Sequence, residues 1–196
     1  RMTGKLRRKP QAAEAKARMK STSSRYGTVA VTLHWLSAGF ILALLASGFR
    51  AASLGDMDAK ASLLSVHVVL GIGVLVLTLA RILWWMLADH RPDPLAGSTG
   101  VQQKTATVIH LLFYIITLGM VASGIGMLVL TGAAPAIFDG VGAALPNFHE
   151  VLPRGPHGLG ARLMVVLLML HVLAALWHHF ARGDGALWRM WYGDGQ

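Results

Sequence analysis

Residues 157–171 read HGLGARLMVVLLMLH, a largely apolar run with a histidine at each end. Fourteen residues are close to four helical turns, so both imidazoles lie on one face of a helix, about 21 Å apart along its axis. That is too far for one metal ion held by both. It suits two separate centres, one near each surface of a bilayer, and the rest of the chain can be read outward from this helix.

The composition places such a helix in lipid. The chain has 196 residues, enough for one domain, with 54% hydrophobic and 14% charged residues. Soluble domains carry about 25% charged residues. Four stretches are long and apolar enough to cross a core of about 30 Å, at 29–49, 64–87, 105–131 and 159–180. Every proline lies outside their middles, so the backbone can satisfy itself within each helix, as hydrocarbon demands. The expected fold is an all-α membrane protein, a four-transmembrane-helix bundle over residues 26–193, preceded by a basic tail at 1–25. There is no internal repeat and no second domain. The chain has no cysteine, which excludes disulfides, thiolate-held clusters and a c-type haem attachment.

Charge sets the expected orientation. Nine of the 18 Lys and Arg residues lie within residues 1–25. Ahead of an apolar span this tail reads as an anchor facing anionic membrane lipid, and not as a nucleic-acid arm. The span after it is too long for the core of a cleaved signal peptide. With both termini cytoplasmic, the inner side carries fourteen basic residues. The outer side carries four: Arg50, Lys60, Arg154 and Arg162. The expected arrangement is therefore a multi-pass membrane protein with both termini cytoplasmic.

Ionisable residues inside spans are rare and usually functional, yet histidines occur in or at the edge of every span. His171 lies eleven residues before Arg182 and His34 nine after Arg25, which matches them in depth as an inner pair. His67, seven residues after Lys60, matches His157 as an outer pair. A lone intramembrane histidine often just bonds a neighbouring helix. Four histidines at two matched depths point instead to axial ligation of two haems, and bis-imidazole ligation leaves iron no open position, as electron transfer prefers. Arg81, at the inner end of the second span, is a candidate partner for a haem propionate or a snorkelling anchor. His110 is a candidate quinone or proton-path residue and an alternative inner ligand. His178 and His179 read as interfacial, and His90 and His149 as solvated. Gly71, Gly73, Gly119, Gly124 and Gly126 suit a porphyrin's approach, but ordinary helix packing explains them equally well. Six tryptophans near the span ends form an aromatic belt.

These stretches resemble the bacterial cytochrome b561 family. The matching residues are Arg25-Tyr26 and Leu33-His34-Trp35 in the first span, then Val66-His67-Val68 with Arg81 in the second. The third carries His110-Leu111-Leu112-Phe113-Tyr114, and the fourth His157, His171 and the His178-His179 pair. The resemblance covers residues 25–193. It implies two haems b, ligated by His34 with His171 and by His67 with His157, and electron exchange with ubiquinone. Some members look like superoxide oxidases, oxidoreductases that take electrons from superoxide outside and pass them to quinone. The same core resembles cytochrome b subunits of formate dehydrogenases and hydrogenases, so an electron-relay subunit with a partner redox protein or larger complex is the alternative. The basic tail is longer than expected for the family. The four outer basic residues could steer an anion, but Asp56, Asp58, Asp139 and Glu150 offset them. No nucleophile–base set points to hydrolysis, and no catalytic residue is assigned.

Overall fold

The computed structural model describes residues 15, 17–139 and 144–192, so most of the basic tail lies outside the described residues. Four long helices dominate: α1 (Thr28–Ser53), α2 (Met57–Leu87), α3 (Gly100–Thr131) and α4 (Arg154–Trp177). A π-helical turn, His178–Arg182, continues α4. No strand occurs among the described residues.

Helix ends are set by polar caps placed where the chain leaves the apolar stretches. The Asp56 carboxylate accepts from the backbone N–H of Asp58 and Ala59 and starts α2. Thr99 and Gln102 form a reciprocal capping box at the start of α3. Gly132 and Gly183, both with φ of 62°, end α3 and the π turn in the left-handed region. Helices α2 and α3 have 31 and 32 residues, or nearly 50 Å at about 1.5 Å per residue, so their ends project beyond the hydrocarbon.

Helix α1 packs along α2 and α3 along α4, with a lesser contact between α2 and α3. The buried core is thin: Ala30, Val31 and Ala51 on α1, Val74 on α2, Met164 and Leu167 on α4. Outward-facing side chains are apolar instead. Leu42, Val76, Ile115 and Leu173 are each more than half exposed, and such a surface is stable only against lipid. All four helices have the length and hydropathy of membrane spans. Hydroxyls buried between them turn back onto their own helices, as Ser37 does to Leu33 O at 2.6 Å and Thr78 to Val74 O at 2.7 Å.

Both described termini lie at one end of the bundle, where a polar knot ties three segments together. Asp89 has no exposed side-chain surface. It accepts from the Ser21 backbone N–H (3.0 Å), the Ser21 hydroxyl (2.8 Å), Trp84 Nε1 (3.1 Å) and the His90 N–H (2.9 Å). Burial pushes its pKa up, but the Ser21, His90 and Trp84 donors outweigh it and hold the carboxyl below its usual value. Arg189 donates to the carbonyls of Ser23, Ser24 and Asp93. Gly27 is required by close approach, since a Cβ there would lie 2.3 Å from Met19 O.

Asp89→Ala leaves the Ser21 and Trp84 donors unpaired. It is expected to cost about 3 kcal/mol, read as a lower midpoint of thermal unfolding in detergent. Because the folded pKa is depressed, the charge-linked part of the wild-type advantage is complete above the ordinary carboxylate value of about 4 and is lost as pH falls through the lower folded value. An equal gap at pH 7 and pH 3 would contradict this account.

Candidate functional site

Two groups of histidines form at two levels of the bundle, set by the spacing along α4. At the end away from the termini, His67 on α2 faces His157 on α4, with ring centroids 6.2 Å apart. At the termini end, His34 on α1 faces His171 on α4 at 6.1 Å. His110 on α3 also reaches His171, at 5.8 Å, and the Phe113 ring packs edge-on against His171 at 5.5 Å. The structure thus brings His34, His110 and His171 into one cluster and His67 and His157 into another.

The separation within each facing pair carries chemical information. Two imidazoles binding one metal from opposite sides, at about 2 Å each, place their ring centroids roughly 6 Å apart. A bare ion needs four or more ligands, and no group of three or more His, Asp or Glu suited to an ion occurs among the described residues. Two imidazoles at this spacing therefore suit a metal whose remaining ligands come from a macrocycle. The helices that carry each pair are not packed against each other: neither α2 and α4 nor α1 and α4 pack closely, whereas α3, which carries His110, lies directly against α4.

The tautomers of the far-end pair follow from its hydrogen bonds. The Ser123 hydroxyl donates to Met120 O (2.9 Å), and His157 Nδ1 lies 3.0 Å from both Met120 O and Ser123 Oγ. A carbonyl only accepts, so Nδ1 carries the proton. Ser47 Oγ lies 3.2 Å from Leu44 O and 2.9 Å from His67 Nδ1; with the hydroxyl proton on the carbonyl, Oγ accepts from His67 Nδ1–H, as at His157. Both rings then keep the lone pair on Nε2, the state a metal ligand requires. Beside each serine stands a glycine. A Cβ on Gly48 would meet His67 Cε1 at 3.1 Å, and one on Gly124 would meet His157 Cε1 at 3.4 Å.

A family model described as prokaryotic cytochrome b561 matches residues 25–193. The chain belongs to the prokaryotic cytochrome b561 family. It is 28% identical to cytochrome b561 homolog 2 of Escherichia coli (strain K12), covering 87% of this chain and 93% of that protein. It is 29% identical to cytochrome b562 of Cereibacter sphaeroides, over 84% and 94% of the two chains. It is 25% identical to a Yersinia pestis protein named "Probable superoxide oxidase CybB", over 85% and 95%. The chain is accordingly a multi-pass bacterial membrane cytochrome of the b type, which transfers electrons with haem b. The far-end pair fits that group: facing imidazoles at the right separation, Nε2 lone pairs, and a glycine where a side chain would crowd each ring.

The remaining polar residues fall into place around this frame. Arg81 reaches the termini-end cluster, with Nη2 3.4 Å from His34 Nδ1 and its guanidinium 6.0 Å from the Tyr114 ring centroid. Arg154 and Arg162 share an open groove of about 680 Å³ with His149 and Glu150 at the start of α4; Arg50, Lys60 and His157 do not line it. His90 is solvated and His149 is exposed. His178 is more than an interfacial polar residue, because its Nδ1 bonds the Asp184 carboxylate across the π turn. Burial raises the Asp184 pKa, but His178, the Ala186 N–H and Arg182 outweigh it and hold the carboxyl below its ordinary value.

Sequence reading overlooked Ser47 and Ser123. A signal was present: Ala-Ser-Gly occurs at 46–48 and again at 122–124, once on each helix that backs a far-end histidine. Gly48→Val should push the His67 ring aside and lower the haem content of the purified protein. Gly39→Val, on the same helix where a Cβ meets nothing within 4 Å, should leave it unchanged. Equal loss from both substitutions would show that the effect is general to the helix.

Proposed function

We propose that this chain holds two haems b, one between His67 and His157 and one between His34 and His171. On this reading it passes electrons from a donor at the outer face of the bacterial inner membrane to the ubiquinone pool, with both termini cytoplasmic. What carries the reading is the pair of facing imidazole sets at about the same separation, fourteen residues apart along α4. Haem b supplies a reversible one-electron couple when bound. The protein's part is to fix the ligands, keep the iron closed to other ligands, and place one centre near each surface.

His34 is preferred to His110 as the inner ligand because α1 and α4 make little direct contact, whereas α3 packs along α4. His110 then stands beside the inner centre, within reach of a quinone or a proton route. Arg81 supports the same arrangement. A guanidinium only donates, so its contact with His34 Nδ1 and a ligating His34 Nε2 call for different tautomers. With haem in place Arg81 needs another acceptor, and a propionate carboxylate is the matching one.

Superoxide is the proposed donor, on the strength of the Yersinia relative's name and the groove at the start of α4, the helix that carries His157. An anion approaching that groove meets Arg154 and Arg162 against the single carboxylate of Glu150, and a net positive mouth raises the rate of encounter. Arg162→Glu should slow superoxide-dependent quinone reduction, with the deficit shrinking at high salt as screening takes over.

The wild-type chain is expected to bind two low-spin haems b. His67→Ala and His171→Ala should each lose one, and His110→Ala should keep both. Haem-to-protein stoichiometry with reduced-minus-oxidised spectra decides this. The isolated chain should also reduce a ubiquinone analogue with superoxide. Activity that appears only with a stoichiometric partner protein would instead make the chain a relay subunit.

A further inference from the structure

We propose that Ser47 and Ser123 are positioning residues that set the redox potential of the outer haem and leave the inner one untouched; this rests on ligation by His67 and His157. The two halves of the outer site are built alike. On α1, Ser47 follows Leu44 by three residues, bonds its carbonyl and receives His67 Nδ1–H. On α3, Ser123 follows Met120 by three residues, bonds its carbonyl and shares His157 Nδ1–H with it. In each case a glycine follows the serine and lets the ring approach: Gly48 against His67 and Gly124 against His157. One Ala-Ser-Gly cradle thus serves each ligand, from two different helices.

Each cradle does two things to its imidazole. It holds the proton on Nδ1, which leaves Nε2 as the donor atom, and it fixes the ring's rotation. A donated Nδ1–H also makes the imidazole a more basic ligand. A more basic ligand stabilises oxidised iron over reduced iron and lowers the midpoint potential. The inner site has no counterpart: no hydrogen bond reaches a His171 ring nitrogen among the described residues, and the group beside His34 Nδ1 is a guanidinium and not an acceptor. The protein therefore biases the outer haem towards giving up an electron and the inner haem towards accepting one.

The test is a redox titration of the purified haem-loaded protein, comparing wild type with Ser47→Ala, Ser123→Ala, the double variant, and Ser→Thr at each position. The wave that disappears in His67→Ala marks the outer haem. In the alanine variants this wave should move to more positive potential while the other stays in place. The double variant should move it farthest. Ser123→Ala alone should move it least, because Met120 O remains as an acceptor. Threonine keeps the hydroxyl and should restore the wild-type potential, most cleanly at the less buried position 123. Loss of the outer haem in Ser→Ala with retention in Ser→Thr would also support the positioning role. An unmoved outer wave in the double variant, or threonine behaving as alanine, would overturn the serine proposal and leave the ligand assignment standing. Retention of both haems in His67→Ala and in His157→Ala would instead remove the assignment, and the serine proposal with it.

Discussion

An imidazole placed in hydrocarbon must find a partner for both ring nitrogens, and this structure is arranged around that requirement. The helices have little else to bind them. Their buried core is small and their outer faces are apolar, so lipid competes evenly with neighbouring helices for apolar contact. Polar groups at chosen depths therefore have unusual leverage over how the helices sit. At the outer level, backbone carbonyls and serine hydroxyls serve one nitrogen of each ring. The two rings face each other between α2 and α4, with centroids 6.2 Å apart. A metal-centred group held between them would satisfy the ligands and join the two helix pairs into one body.

Much of this organisation was legible in the residues. Hydropathy and the absence of interior prolines indicated four helices, and a four-helix membrane bundle is what forms. The spacing of His157 and His171 placed two levels on one helix. Counting residues from Arg25, Lys60 and Arg182 matched the facing histidines in depth, because a helix in a bilayer has a fixed rise and charged residues mark its ends. The structure sets His34 opposite His171 and His67 opposite His157. Depth counting could not separate His34 from His110, since both lie at a similar height. That distinction depends on which helices touch, a property of the bundle and not of any one segment.

What escaped the sequence depends on contacts between distant segments. Ser47 looked like one small residue among many, and its role emerges only once His67 is seen across the helix interface. Asp89 stood in a loop, where carboxylates are ordinarily solvated, yet it gathers Ser21 from 68 residues away. His178 read as an interfacial residue because its acceptor, Asp184, lies past the π turn and Gly183. In each case the side chain's partner is supplied by chain geometry that periodicity does not encode. The repeated Ala-Ser-Gly tripeptide is the exception: it was visible as a pattern, but without a facing histidine it had no meaning distinct from helix packing.

The two levels also differ in a way that bears on direction. At the outer level every ring proton is donated to a neutral acceptor, which enriches the imidazoles with electron density. At the inner level a guanidinium stands beside His34 and a third imidazole beside His171. A cation near a redox centre favours the state with one more electron, since it stabilises added negative charge. On the proposed ligation the first effect makes the centre between His67 and His157 the better donor, and a propionate paired with Arg81 would offset part of the second. The protein environment alone would then distinguish the two centres, even though both would carry the same pair of axial ligands.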